Sequence, residues 1–137
     1  MFENPDREER CALIRGAKNI AVVGLSPNPT RPSYEVAAAM QQLGYNIIPV
    51  TPAVQQVLGA TAYARLGDVD QSIDLVNVFR ASKFIDAIVD ECIALKLPAL
   101  WIQEGIVNEA AAQRARDAGI TVVMDRCIYR DYRQECA

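Results

Sequence analysis

The stretch NIAVVGLSPNPTRPSYEVAAAM, residues 19–40, decides how the rest of the 137-residue chain is read. Residues 19–24 form a short β-rich apolar run, the pattern of a strand buried on both faces. The run ends in Gly24, a polar loop follows, and residues 33–43 read as a helix with Gly44 as its C-terminal stop. Strand, glycine turn and helix open like a dinucleotide-binding unit. The loop nevertheless lacks G-x-G-x-x-G, because Pro27, Pro29 and Pro32 occupy it.

Outward from this unit the alternation repeats. YNIIPVTP (45–52) is a second strand, SIDLVNVF (72–79) a third, and residues 83–97 carry apolar side chains at helical spacing up to the break at Pro98. ALWIQEG (99–105) is the next strand with its exit loop, Asn108 caps a helix over 109–118 stopped by Gly119, and ITVVMD (120–125) is the last strand. Residues 6–15 suggest an amphipathic first helix ending near Gly16. Residues 53–69 read less sharply, as a turn, a short strand near ATAY and a brief helical turn. Strands alternating with helices imply right-handed crossovers and a parallel sheet. The expected fold is α/β: a single doubly wound parallel sheet of about five strands with helices on both faces. One domain spans 1–137, with 1–17 an N-terminal helix and 128–137 a polar C-terminal tail.

Composition narrows the function. A 51% hydrophobic and 23% charged chain of this length buries its own core. The net charge of −3 offers no global field for nucleic acid or an anionic membrane. No apolar run approaches the ~20 residues that span a bilayer, and no signal-peptide pattern opens the chain, so a cytoplasmic protein is expected. Cys11, Cys92, Cys127 and Cys136 form no C-x-x-C pair and the chain has no histidine, which argues against zinc and removes histidine-activated nucleophiles. The four cysteines read as reduced thiols, mostly small core hydrophobes.

Doubly wound sheets bind ligands at the carboxyl ends of their strands. At the first exit, Gly24 permits a tight turn and close ligand approach. Ser26, Asn28, Thr30 and Ser33 offer hydroxyl and amide groups, the helix N-terminus favours an anion, and Arg31 can grip phosphate oxygens. Three prolines stiffen the loop. The alternative is a proline-rich connector before a well-capped helix. A nicotinamide dinucleotide is disfavoured, since no acid occupies residues 45–67 where the ribose diol-binder belongs.

VVGLSPNPTRPSYEVA, IIPVTP, VNVFR, WIQEGIVNEAAAQRARDAG and VVMDRCI together resemble the small stand-alone CoA-binding domain proteins. They are more distantly similar to the CoA-binding domain of the succinyl-CoA synthetase alpha subunit, over residues 18–128. The resemblance implies a Rossmann-like fold and coenzyme A or acyl-CoA as the cofactor. It implies contacts from Ser26, Pro27, Asn28 and Pro29 in the loop, with Arg31 and Ser33 beside the phosphates. Val50, Thr51 and Pro52 would line the adenosine end, and Phe79 and Arg80 would close the groove. Ile102, Gln103, Glu104, Gly105 and Ile106 match the synthetase's x-I-x-E-G-I pattern. Two departures matter: Val54 or Gln55 stands where the synthetase has a lysine, and the phosphorylated histidine and its domain are absent. Binding is implied; the synthetase reaction is not.

Arg80 and Arg126 are either phosphate contacts or solvated charges, and Trp101 reads as core. Glu104 is a candidate general base or a loop-orienting acid. Cys127 is either a thiolate beside Arg126, able to pair with the CoA thiol, or a plain buried cysteine. The charged ends read as solvated faces, where Tyr129 and Tyr132 can dock a partner. The expected function is a CoA or acyl-CoA binding module without catalytic residues of its own. Alternatives are a CoA-linked transferase or ligase fragment, and a nicotinamide-nucleotide-binding redox sensor. The expected partner is small-molecule CoA, with no nucleic acid and no membrane. A homodimer through the sheet edge or tail, or a further protein partner, is a possibility.

Overall fold

Short runs of apolar residues bury on both faces only if helices cover each side, and the chain alternates accordingly. The computed structural model describes residues 2–137. In order come α1 (Arg7–Gly16), β1 (Asn19–Val23), α2 (Pro32–Gln42), β2 (Asn46–Val50), the two-residue strands β3 (Gln56–Val57) and β4 (Ala60–Thr61), and β5 (Leu75–Val78). Then follow α3 (Ile85–Ala94), β6 (Ala99–Gln103), α4 (Glu109–Asp117), β7 (Thr121–Arg126) and α5 (Ile128–Asp131), which runs on as a wider helical turn over Tyr132–Cys136. Local chemistry explains the ends. Asp6 caps α1 by accepting the Glu9 N–H at 2.9 Å, and Asn108 caps α4 through the Ala111 N–H at 3.1 Å.

The five long strands form one parallel sheet in the order β2-β1-β5-β6-β7. The chain leaves β1 in one direction and β5 in the other, so the order reverses between them, which is where doubly wound sheets open a crevice. The expected α/β sheet of five parallel strands is therefore present. One core layer packs α3 and α4 on the sheet through Ile85, Ile88, Val89, Ala111, Ala112 and Ala115. The other packs α1, α2 and the C-terminal segment through Ile14, Met40, Trp101 and Ile128.

Residues 53–69, indistinct in sequence, hold the antiparallel β3–β4 pair and a tight turn at Leu66–Asp68. Tyr63 then bridges to Val50, and the Thr51 N–H donates to its carbonyl at 2.7 Å, so this segment covers the outer edge of β2. The third helix is shorter than its periodicity suggests: Lys96 takes φ 55°, and the Leu97 N–H turns back to the Cys92 carbonyl.

Two expectations fail at the C-terminus. The polar tail is instead helical and closes one side of the core, burying Ile128, Asp131 and Cys136. Tyr129 and Tyr132 pack against the protein's own core layer. Its charges are also internal pairs: Asp131, 4% exposed, is gripped by Arg126 through both carboxylate oxygens at 2.7 and 2.9 Å, with Arg10 at 3.3 Å. Glu135 completes the cluster on Arg10 and Arg126. The second failure is the reading of four reduced thiols. Cys11 on α1 and Cys136 form a disulfide, their Cα atoms 5.3 Å apart across 125 residues of sequence. Spacing along the chain carries no sign of that packing.

Cys92 and Cys127 are free. Cys92 faces the α3 core layer, and burial, with a smaller contribution from Glu91, pushes its thiol from 9.0 up to about 12. The unfolded thiol loses its proton first. Its contribution to stability is thus full below pH 9.0 and declines through about 12, by roughly 1.4 kcal/mol per pH unit. Stability measured by urea unfolding across this window is expected to fall less steeply in Cys92→Ala than in the wild type. Equal slopes would assign the alkaline loss to other groups.

Candidate ligand cavity at the strand exits

The cavity begins with the backbone at Gly24. This residue has φ 85°, and a Cβ there would lie 2.6 Å from the Phe79 carbonyl oxygen and 2.8 Å from the Arg80 Cδ. Only glycine allows the β1 and β5 exits to approach this closely. The loop that follows is braced by its own polar groups. Ser33 Oγ accepts the Ser26 N–H at 3.0 Å, Ser26 Oγ the Asn28 N–H at 3.1 Å, and Asn28 Oδ1 the Thr30 N–H at 3.0 Å. The Arg31 N–H closes the turn on the Asn28 carbonyl. Helix α2 starts one residue earlier than its sequence pattern, with Pro32 at its first position and Arg31 as a cap whose side chain makes no capping bond. Arg31 is left exposed at the mouth.

A cavity of about 620 Å³ lies between this loop, the β5 and β6 exits and the C-terminal helix. It brings together Gly24, Ser26, Arg31, Ser33, Phe79, Arg80, Gln103 and Glu104 from the expected set. Among the described residues neither Arg31 nor Arg80 has an ion-pair partner; Arg80 lies over the Phe84 ring, 4.0 Å from its centroid. Two unneutralised guanidinium groups in a protein of net charge −3 make this rim locally suited to an anion.

The cavity wall is partly polar from beneath. Asn77 of β5, 2% exposed, donates to the Trp101 carbonyl and to Gln103 Oε1, both at 3.3 Å. Glu104 pairs with Arg130, whose guanidinium is pushed up first by that hydrogen bond and then by the Glu104 charge. A carboxylate so engaged orients the rim. At β7 the ladder shifts register between Ile102 and Gln103, and Asp125 takes φ 62°. That extra residue turns Arg126 to the sheet face it shares with Gln103, and the Asp125 Oδ1 accepts the Gly105 N–H at 2.7 Å.

Other expected residues lie elsewhere. Ile102 is fully buried in the α3–α4 core layer and offers a ligand no surface, because β6 is covered on both faces. Arg126 is not available to a phosphate, since Asp131 and Glu135 hold its guanidinium. Thr51 and Pro52 line a separate depression of about 510 Å³ beside the β3–β4 pair. Pro27, Asn28, Pro29 and Gly105 do not line the main cavity. Trp101 is core, its Nε1 donating to the Arg126 carbonyl at 2.8 Å. The cavity also takes in Glu35, Val36, Ala81 and Arg130, which sequence reasoning passed over. The only sign of Arg130 was a charge in a stretch that read as solvent-facing. Asn77 was legible as a lone amide inside an apolar strand.

Among the described residues no cluster of His, Cys, Asp and Glu could hold a metal ion, and no helix is long and apolar enough to cross a membrane. The arrangement can hold an elongated anionic ligand by its charged end and accommodate a less polar remainder along Phe79 and Ile106.

Comparison with known proteins bears on the family and the fold. The model of a CoA binding domain family matches residues 18–133. The chain is 44% identical over 127 residues to the Bacillus subtilis protein named Uncharacterized protein YneT, covering 93% of this chain and 94% of that one. The solved structure of cell-free ID.343 from Thermus thermophilus matches at TM-score 0.90 and 32% identity, covering 95% of this chain and 98% of that one. An ADP-forming acetate–CoA ligase of Methanocaldococcus jannaschii is 22% identical over 86 residues, which is 63% of this chain but 12% of that protein.

Proposed function

The chain belongs to the CoA binding domain family, and on that premise we propose that it is a non-catalytic module that binds coenzyme A or acyl-CoA. The observation that carries the reading is the cavity whose mouth holds Arg31 and Arg80, neither with an acidic partner among the described residues. Coenzyme A presents a diphosphate and a 3′-phosphate, which call for cations and N–H or O–H donors more than for the acid that holds a ribose diol. Arg31, Ser26 and Ser33 would hold the diphosphate, with Arg80 and Phe79 closing over it. Thr51 and Pro52 remain available to the adenosine end beyond β2.

The same residues favour holding over turnover. Glu104 is paired with Arg130, and the chain lacks histidine. The ligase to which the chain is similar is matched over 12% of its own length. A cytoplasmic location goes with the proposal. Cys11–Cys136 would then be an uncommon cytosolic disulfide, shielded by the 4% exposure of each cysteine.

Isothermal titration with CoA, acetyl-CoA and NADH tests the reading. CoA is expected to bind the wild type, and Arg31→Ala to weaken it by about 1.5–3 kcal/mol, the range for a charge-assisted hydrogen bond. Tighter binding of NADH, or no CoA binding, would reduce the loop to a connector.

A further inference from the structure

We propose that Cys127 is a site of reversible thiolation by the ligand's own sulfur, taking a CoA-containing disulfide into a protein–CoA mixed disulfide. The proposal rests on the CoA reading above. Of the four cysteines, Cys11 and Cys136 are joined to each other, and Cys92 is 0% exposed within the core. Cys127 is free, and it lines both the main cavity and a second one of about 450 Å³ that shares Glu35, Val36 and Arg130 with it. It sits just past the β7 irregularity, at the start of α5.

A second observation marks this end of the cavity for a ligand. Gln103 is only 6% exposed; its Oε1 accepts from Asn77 Nδ2 and from the Ile128 N–H at 3.5 Å. Its Nε2 meets no acceptor among the described residues, and the side chain lines the cavity. That amide N–H opens onto the cavity, where an acceptor on a bound molecule can meet it. The amide carbonyls of a pantetheine arm are acceptors of that kind. With the diphosphate at Arg31, such an arm passes Phe79 and Gln103 and brings its terminal sulfur to Cys127. Arg130 stands on the same wall, its guanidinium paired with Glu104.

The chemistry is thiol–disulfide exchange and needs no further oxidant. The Cys127 thiolate attacks the CoA-side sulfur of CoA–S–S–R, where R–S is a second CoA or another small thiol. The Cys127–S–S–CoA bond forms as the original S–S bond breaks. The leaving R–S⁻ takes the proton that Cys127 released, through solvent.

The test incubates the disulfide-intact protein with CoA disulfide, or separately with glutathione disulfide, and follows intact mass and a non-reduced peptide map. One CoA adduct at Cys127 is expected, formed at least about tenfold faster than the glutathione adduct because binding raises the local concentration. Arg31→Ala should bring the two rates together, and Cys127→Ser should give no adduct. Adducts at Cys92, Cys11 or Cys136, equal rates in the wild type, or no adduct while titration shows CoA bound would each overturn the proposal and leave the binding reading standing. Absence of CoA binding in the titration would instead remove that reading.

Discussion

Reduction of the Cys11–Cys136 disulfide, or Cys136→Ser, is expected to lower the unfolding free energy by about 3–5 kcal/mol, the upper part of the range for native disulfides. The bond closes a loop of 125 residues, and the chain entropy that closing so long a loop removes from the unfolded state is worth about 5 kcal/mol. For a domain of this size the melting temperature should drop by roughly 10–20 °C. Calorimetry with and without a thiol reductant measures it directly. A shift of a degree or two would mean that α1 and the C-terminal segment hold together without the bond.

Asp131→Ala is expected to cost about 3–5 kcal/mol, the range for removing one partner from a buried ion pair. Asp131 accepts two hydrogen bonds from Arg126 and lies 3.3 Å from Arg10, whose Nε has no hydrogen-bond partner among the described residues. Without the carboxylate, two guanidinium groups share Glu135 alone, and Arg10 stays largely enclosed. Urea unfolding at neutral pH measures the loss. A cost below about 1 kcal/mol, the ordinary worth of a surface pair, would show that water screens the cluster. The disulfide and this cluster pin the same segment, so the double variant should lose less than the sum of the two.

Features set by neighbours in sequence were legible. The proline loop, the cap at Asn108, and the five apolar strands all announce themselves within a few residues. Features set by distant pairing were not. Cys136 meets Cys11, and Asp131 and Glu135 meet Arg10, only because the last helix folds back across α1. The candidate cavity divides the same way. Gly24, Ser26, Arg31 and Ser33 follow from one strand-loop-helix unit. Arg130 enters from the far end of the chain, and Ile102 was misplaced because strand alternation points it into the core. Charge density at the C-terminus read as solvated, since periodicity does not show that its acids and arginines neutralise one another.

The braced loop after β1 bears on what any partner protein can perceive. Its polar side chains are already bonded to its own backbone, and its prolines restrict the remaining freedom. On the proposed binding reading, occupancy would leave the shape of that face almost unchanged. A receptor that distinguishes loaded from empty protein must read the guest itself or the opposite rim, where Glu104 and Arg130 can trade one another for a new contact. The information would lie at the C-terminal lip, and the proline side would serve as a fixed frame.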